Sequence, residues 1–301
     1  MSNLLAFLKH PITSIKKRKL FKRKSLYSDE EYLLKMFPLS NGYPLDLKNP
    51  KTYNEKIQWL KLYNRDPKLT MLVDKYAVRD FVKKTIGEEY LVPLIGVWEK
   101  PEDIPFEKLP NKYVLKCTHN SGKGMFIKDN NKPVNKQEVI NNLNIGLQSD
   151  MYLHTREWPY KDVPRRIVCE EFLEDGSNIE LQDFKFFCFD GKFRILLVCS
   201  DRHTKLANDW YDEDLKHLPV INGPKNRKEP FVLPKNIDEM IAVAEKLAVG
   251  LTHVRVDLYN LNGKIYFGEM TFFESSGLSP FKPKEYDLIF GSYINLPNKK
   301  V

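Results

Sequence analysis

The chain has 301 residues, 42% hydrophobic and 12% aromatic, with a formal net charge of +8. That is enough to bury a core in more than one compact unit, and it excludes a low-complexity polypeptide. Cys117, Cys169, Cys188 and Cys199 form no CxxC pair and sit among Val, Leu and Phe. They read as buried thiols in a reducing cytoplasm, not as a disulfide frame or a zinc site. No apolar run approaches the ~20 residues that cross a bilayer. The opening MSNLLAFL is too short for a secretory signal and lacks basic residues before it.

Residues 1–28 read as a basic tail. Lys9, Lys16, Lys17, Arg18, Lys19, Lys22, Arg23 and Lys24 carry the whole charge excess, behind Leu4, Leu5, Phe7 and Leu8. An apolar foot with a basic cuff can rest on an anionic membrane face, each basic residue contributing roughly 1 kcal/mol. It can equally draw in an acidic polymer or stay solvated. Nucleic acid fits less well, because no stacking aromatics are interleaved.

From Asp29 to Tyr63 the pattern is helical with breaks: EEYLLKMF, a Pro/Gly loop through Pro50, then YNEKIQWLKLY with Asn54 as its cap. LTMLVDKYAVRDFVKKTI keeps Leu69, Leu72, Val73, Tyr76, Ala77 and Phe81 near period 3.6, which predicts one further helix, carrying Lys75 and ended by Gly87. YLVPLIGVW reads as a strand and KYVLKCTHNSGKGMFIKD as strand, loop and strand. Residues 135–151 read as a helix, and RRIVCEEFLED as a strand running into a loop. LQDFKFFCFDGKFRILLVCSDR is a hairpin turned at Asp190-Gly191. Residues 219–234 are loop, and NIDEMIAVAEKLAVG is a helix ended by Gly250. HVRVDLYNLNGKIYFGEMT is a second hairpin, turned at Asn262-Gly263. Helices first, then strands paired by tight turns with single helices between, make an α+β fold with antiparallel sheets.

The last hairpin holds one carboxylate on each strand, Asp257 and Glu269, amid largely apolar flanks. Two buried carboxylates repel and raise a pKa unless a cation sits between them. Read alone, this is also an ordinary hairpin whose charges reach solvent. THNSGKGMF places Ser121, Gly122, Lys123 and Gly124 in a tight turn, where small residues let backbone N–H groups approach phosphate oxygens. It lacks the GxxxxGK[ST] spacing and a strand follows, so it is not a Walker A loop; a plain hairpin tip fits the residues as well. Lys116 sits in an apolar strand and needs an anion or a route to solvent. Glu170 and Glu171 end a strand, where amides and a carboxylate can hold a purine and its ribose. Asp183 and Lys185 share one face of a strand. Taken singly, each is more often a surface charge than a site.

Together they form an order. A helix lysine, a strand lysine with a glycine loop, paired glutamates at a strand end, then Asp and Glu on a hairpin resemble the ATP-grasp fold. More narrowly, YNEKIQWLKLYNRDP, DKYAVRDFV, LPNKYVLKCTHNSG, REWPY, DFKFFCFDGK, SDRH and VRVDLYN…GKIYFGEMTF are similar to the TupA-like ATP-grasp family. That family is named for a protein of teichuronopeptide assembly and is found among genes for cell-surface polysaccharides. The resemblance runs from Tyr32 to Phe281. It implies two α+β lobes clasping a nucleotide behind a helical N-terminal region. Residues 29–110 would be the helical and pre-ATP-grasp segment, 111–165 the smaller lobe with a phosphate-covering loop, and 166–295 the larger lobe with a metal site.

The resemblance further implies residue roles. Lys75 and Lys116 would contact ATP phosphates, and Ser121, Gly122, Lys123 and Gly124 would cover them. Glu170, Glu171 and Leu173 would hold adenine and ribose. Asp257 and Glu269 would bind Mg²⁺, Glu269 bridging two ions, with Lys116 entering from the opposite lobe. The family's Asn two residues after the second acid is Thr271 here, a poorer ligand expected to line the cavity. The implied chemistry activates a carboxylate as an acyl phosphate for attack by an amine, work of positioning and charge neutralisation. Lys185, Arg194, Arg202 and Arg255 are the candidates for stabilising it. The expected enzyme is a cytoplasmic ligase joining a uronic-acid-bearing saccharide, or its lipid-linked precursor, to an amino acid or amine. Peripheral contact with an anionic membrane through residues 1–24 is expected, and no nucleic acid. The rivals are a glycosyltransferase using Asp212-Glu213-Asp214 and a sugar kinase of capsule or O-antigen synthesis.

Overall fold

The computed structural model describes residues 11–129, 132–174, 181–200 and 206–299. Residues 1–10 of the tail and Arg202 lie outside them. Among the described residues no helix is long and apolar enough to cross a membrane.

Three helices open the chain: α1 (Pro11–Lys22), α2 (Asp29–Asn41) and α3 (Tyr53–Tyr63). Ser28 and Glu31 close a capping box on α2, and Thr52 and Glu55 close one on α3. Thr52, not Asn54, is therefore the cap of α3. Its Oγ1 accepts from the Glu55 amide at 3.1 Å, and Glu55 accepts from the Thr52 amide at 3.0 Å. Asn54 is instead buried, donating to Asp287 and the Ser279 carbonyl at 3.1 Å each. Asn54, Gln58 and Lys61 share one face of α3, and all three are buried. Gln58 donates to the Ser276 and Gly277 carbonyls at 2.9 Å, and Lys61 to those of Ser276 at 2.7 Å and Thr155 at 2.9 Å. Burial pulls the Lys61 amine down to about 8 against the pull of Glu157 and Asp29.

The predicted single helix is two, α4 (Lys68–Val73) and α5 (Val78–Thr85). Asp74 breaks it: ψ turns to 113°, and its carboxylate takes the Tyr76 amide at 2.8 Å and Arg166 at 2.7 Å. Such local side-chain bonding competes with the helical ladder. Lys75 consequently stands in the break, not on a helix.

Two antiparallel sheets follow. The smaller has the order β1-β4-β2-β3, from β1 (Leu94–Trp98), β2 (Tyr113–Cys117), β3 (Phe126–Lys128) and β4 (Ile167–Glu171). Its strands begin before residue 111 and end after 165, a wider span than expected. Between β3 and β4 lie α6 (Lys136–Leu147) and α7 (Met151–Thr155), and Leu115 and Cys169 of the sheet cluster with Val139 and Leu143 of α6.

The larger sheet has the order β10-β9-β5-β6-β7-β8. Its strands are β5 (Asp183–Phe189), β6 (Lys192–Ser200), β7 (Ala207–Tyr211), β8 (His217–Leu218), β9 (His253–Leu261) and β10 (Lys264–Thr271). The sequence reading had no β7 or β8. α8 (Ile237–Ala248) precedes β9 and packs on β5, β6 and β9, while α9 (Glu285–Ser292) packs on α3. Both hairpin turns adopt left-handed pairs, Asp190-Gly191 with φ 48° and 77° and Asn262-Gly263 with 53° and 89°. All four cysteines are buried free thiols.

One irregularity matters most. Ile265 and Phe267 alternate toward the core, so regular pleating would send Glu269 inward too. The register instead runs Phe267↔Leu258, then Glu269↔Asp257 and Met270↔Val256, with Gly268 as the extra residue of a bulge. The bulge moves Glu269 to the face of Asp257 and returns Met270 to the core. A Cβ on Gly268 would lie 3.0 Å from the Asp257 carbonyl and 3.2 Å from the Tyr259 ring, so only glycine fits without a shift. Gly268→Ala should therefore cost about 1–3 kcal/mol, seen as a lower urea midpoint at constant m-value. An unchanged midpoint would show that the strand absorbs the methyl.

Candidate functional site

The two sheets face each other across a cavity of about 300 Å³. The smaller sheet contributes Lys116 and Glu170, the loop after β2 contributes Ser121 and Gly122, the helix break contributes Lys75, and the first turn of α5 contributes Arg79. The larger sheet presents Asp183, Lys185, Arg255, Asp257 and Glu269. Five cations and four carboxylates thus line one small space. A larger, more open hollow of about 600 Å³ between β3 and α6 lies away from this group.

The charges fall into two clusters. On the smaller sheet Glu170 accepts from Arg79 at 3.0 Å and Lys116 at 2.8 Å. On the larger sheet Arg255 joins three acids. Its Nε and Nη2 meet Asp257 at 2.6 and 2.7 Å, Nη2 also meets Glu269 at 3.0 Å, and Nη1 meets Glu274. Lys185 bonds Asp257 and lies 3.3 Å from Asp183. Lys75 donates to a carbonyl, Asn120 O at 2.6 Å, instead of a carboxylate.

Protonation follows from this crowding. Burial alone would raise the Glu269 carboxyl, but Lys75, Arg255, Lys185 and Lys116 overrule it and hold it at about 2. Burial likewise pushes Glu274 up and Arg255 pulls it down, the net being below the ordinary value. Lys75 is lowered by burial, with Glu269 opposing. The two acids are thus ionised together because cations lie beside them.

Asp257 and Glu269 are cross-strand partners, and both reach one guanidinium nitrogen. A position where two carboxylates share one cation suits a divalent ion, whose hard oxygen donors these are. The donor set therefore fits Mg²⁺, provided Arg255 yields its place. Thr271 donates to Glu269 Oε1 at 3.4 Å and is not among the residues lining the cavity.

Of the other sequence candidates, Lys123 and Glu171 are exposed and, like Leu173, do not line the cavity. Gly124 packs backbone to backbone: its Cβ would meet Gly146 Cα at 2.7 Å and Asn142 O at 2.9 Å. Asn120 also donates to Gly146 O at 3.0 Å and Asn142 to Met125 O at 3.2 Å, so the loop is stitched to α6 behind its tip. Arg194 lies apart, paired with Glu213 near the Tyr293 ring. Asp212 caps a surface turn, accepting from the amides of Asp214 at 3.0 Å and Lys216 at 2.9 Å. The Asp212-Glu213-Asp214 motif thus forms the turn between the antiparallel strands β7 and β8.

Sequence reasoning missed Arg79 and Glu274. Arg79 is four residues beyond Lys75, a spacing that would have paired them on one face had the helix continued. Glu274 carries no local signal, being one acid in the stretch after β10.

The TupA-like ATPgrasp family model matches residues 55–295. No curated protein sequence matches. Solved structures that are similar include D-alanine–D-alanine ligase from Bacillus anthracis complexed with ATP, at 19% identity and TM-score 0.38, covering 68% of this chain and 55% of that one. The Helicobacter pylori D-alanine–D-alanine ligase gives 11% identity and TM-score 0.45, covering 80% and 69%. N5-carboxyaminoimidazole ribonucleotide synthetase from Thermus thermophilus gives 12% and 0.42, covering 73% and 51%. The chain spans a little over half the length of the Bacillus ligase. Scores of this size leave the assignment to the family model, which takes in both sheets and the whole charged cavity: the chain belongs to the TupA-like ATPgrasp family.

Proposed function

We propose that the protein is an ATP- and Mg²⁺-dependent carboxylate–amine ligase. The observation that carries this is the convergence of Lys75, Lys116, Lys185 and Arg255 with Asp257 and Glu269 in one cavity between two sheets. In this reading Lys75 and Lys116 hold ATP phosphates, Ser121 and Gly122 lie over them, and Glu170 lies toward the nucleoside. Asp257 and Glu269 hold the metal, which neutralises phosphate charge when bound. Arg255 and Lys185, both beside Asp257, steady the acyl phosphate and its developing oxyanion. Arg202 belongs with them on sequence grounds. The substrates are a uronic-acid-bearing saccharide or its lipid-linked precursor and an amino acid or amine. ADP and free phosphate should appear only when both are present; ADP with a phosphosugar would make the protein a kinase, and AMP with pyrophosphate would end the acyl-phosphate reading.

Glu269→Gln keeps shape and removes charge. Turnover should fall by roughly 10²–10³-fold, with metal-free nucleotide affinity nearly unchanged. Near-normal ATP consumption by this variant would sink the assignment of the metal acids.

The depressed Glu269 carboxyl also has a signature in stability. A folded-state pKa moved from the ordinary 4.5 to about 2 stabilises the fold above the unfolded value and ceases to do so as pH falls. The stability gap between wild type and Glu269→Gln, followed by urea unfolding, should be constant above pH 4.5 and close between 4.5 and 2. A gap that instead widened on acidification would mean the carboxyl is protonated at neutral pH.

The basic N-terminal segment acts, in this reading, as a peripheral membrane contact. Exposed Ile15 and Phe21 accompany exposed Lys16, Lys19 and Lys22 on α1, while buried Leu20 faces the body. Replacing the three lysines by Glu should abolish salt-sensitive sedimentation with acidic liposomes and leave ATP binding intact. Equal sedimentation of the variant would remove the membrane contact.

A further inference from the structure

Glu274 stands just beyond β10 at the start of a short turn, Glu274–Gly277. The turn is unusual. Ser275, Ser276 and Gly277 have φ of 45°, 55° and 57°, three successive left-handed residues of which two are not glycine. Left-handed serines persist only where their surroundings over-determine them. Here the surroundings are the buried polar face of α3: Gln58 holds the Ser276 and Gly277 carbonyls, and Lys61 holds that of Ser276. Gly277 has no room for a side chain, since its Cβ would collide with Gln58 Nε2. Ser275 Oγ donates to Glu274 Oε1 at 2.7 Å, leaving Oε2 on Arg255 Nη1. A strained turn and three hydrogen bonds from one amide and one amine on a buried polar helix face thus fix one carboxylate. Stability alone does not ask for this, because a buried ion pair is weak evidence of net stabilisation.

The arginine divides its nitrogens. Nη1 faces Glu274, whereas Nε and Nη2 occupy Asp257 and Glu269. A divalent ion must take those two acids from it. We propose that Glu274 is a positioning residue that retains Arg255 through Nη1 while the metal claims Asp257 and Glu269, so the arginine's other edge is freed toward the cavity and not lost from it. This rests on the metal reading given under the proposed function.

The test is Mn²⁺ binding by the full chain without nucleotide, read by electron paramagnetic resonance. Wild type should bind. Glu274→Gln leaves Arg255 clamped on the metal acids and should weaken binding by roughly 10–100-fold, the size typical of groups that orient metal ligands. In an Arg255→Met background the same Glu274→Gln change should have almost no effect, because its action passes through the arginine. An equal loss in both backgrounds would make Glu274 a direct ligand or a simple field effect, and would overturn the proposal. No Mn²⁺ binding by wild type would overturn the metal reading and this proposal with it. Because Arg255→Met leaves three carboxylates without their cation, a second measurement uses wild type and Glu274→Gln only. Mg²⁺ titration should move the Arg255 Nε–H nuclear magnetic resonance in wild type, as the bond to Asp257 is given up, and should need more Mg²⁺ in Glu274→Gln. A wild-type resonance that stays fixed while Mg²⁺ saturates the protein overturns the proposal.

Discussion

One guanidinium makes this site possible. Asp257, Glu269 and Glu274 would repel one another if Arg255 did not stand among them. The surrounding structure serves that meeting. The Gly268 bulge turns Glu269 onto the face of Asp257, and the buried stripe of α3 holds the turn that carries Glu274. Neither device is a feature of a regular hairpin. A regular β9–β10 ladder would leave one acid in the core.

The smaller sheet solves the opposite problem. There two cations, Arg79 and Lys116, converge on the single carboxylate of Glu170. One sheet therefore offers surplus positive charge to the cavity and the other surplus negative charge bound to an arginine. The triphosphate and divalent ion proposed above would present the complementary signs. Their entry would let each cluster exchange an internal partner for an external one, with no charge left buried and alone.

Much of this was legible in the chain. Asn262-Gly263 and Asp190-Gly191 announced both hairpins, and alternation placed Asp183 with Lys185 and Arg255 with Asp257. The bulge was legible too: the apolar residues of the return strand are 265, 267 and 270, a step of three where pleating allows two, with a glycine in the gap. Other features obeyed no local rule. Apolar periodicity ran straight through Asp74, since a helix broken by a tertiary anchor on Arg166 keeps its hydrophobic spacing. TYNE spelled a capping box at Thr52, but Asn54 is also a good cap by type, and only its burial against Asp287 decides between them. Gln58 and Lys61 are polar by type and carry no local signal of burial. Their carbonyl partners lie more than 200 residues away in sequence for Ser276, so no window could have revealed them.

Gly124 and Gly146 bring two backbones into contact, with Asn120 and Asn142 tied across the same seam. The loop over the cavity is thus not a free flap on a hinge. Behind residues 121–123 it is riveted to α6, and α6 in turn packs on β2 and β3. A closure of the cleft that kept this seam would carry sheet, helix and loop together as one jaw.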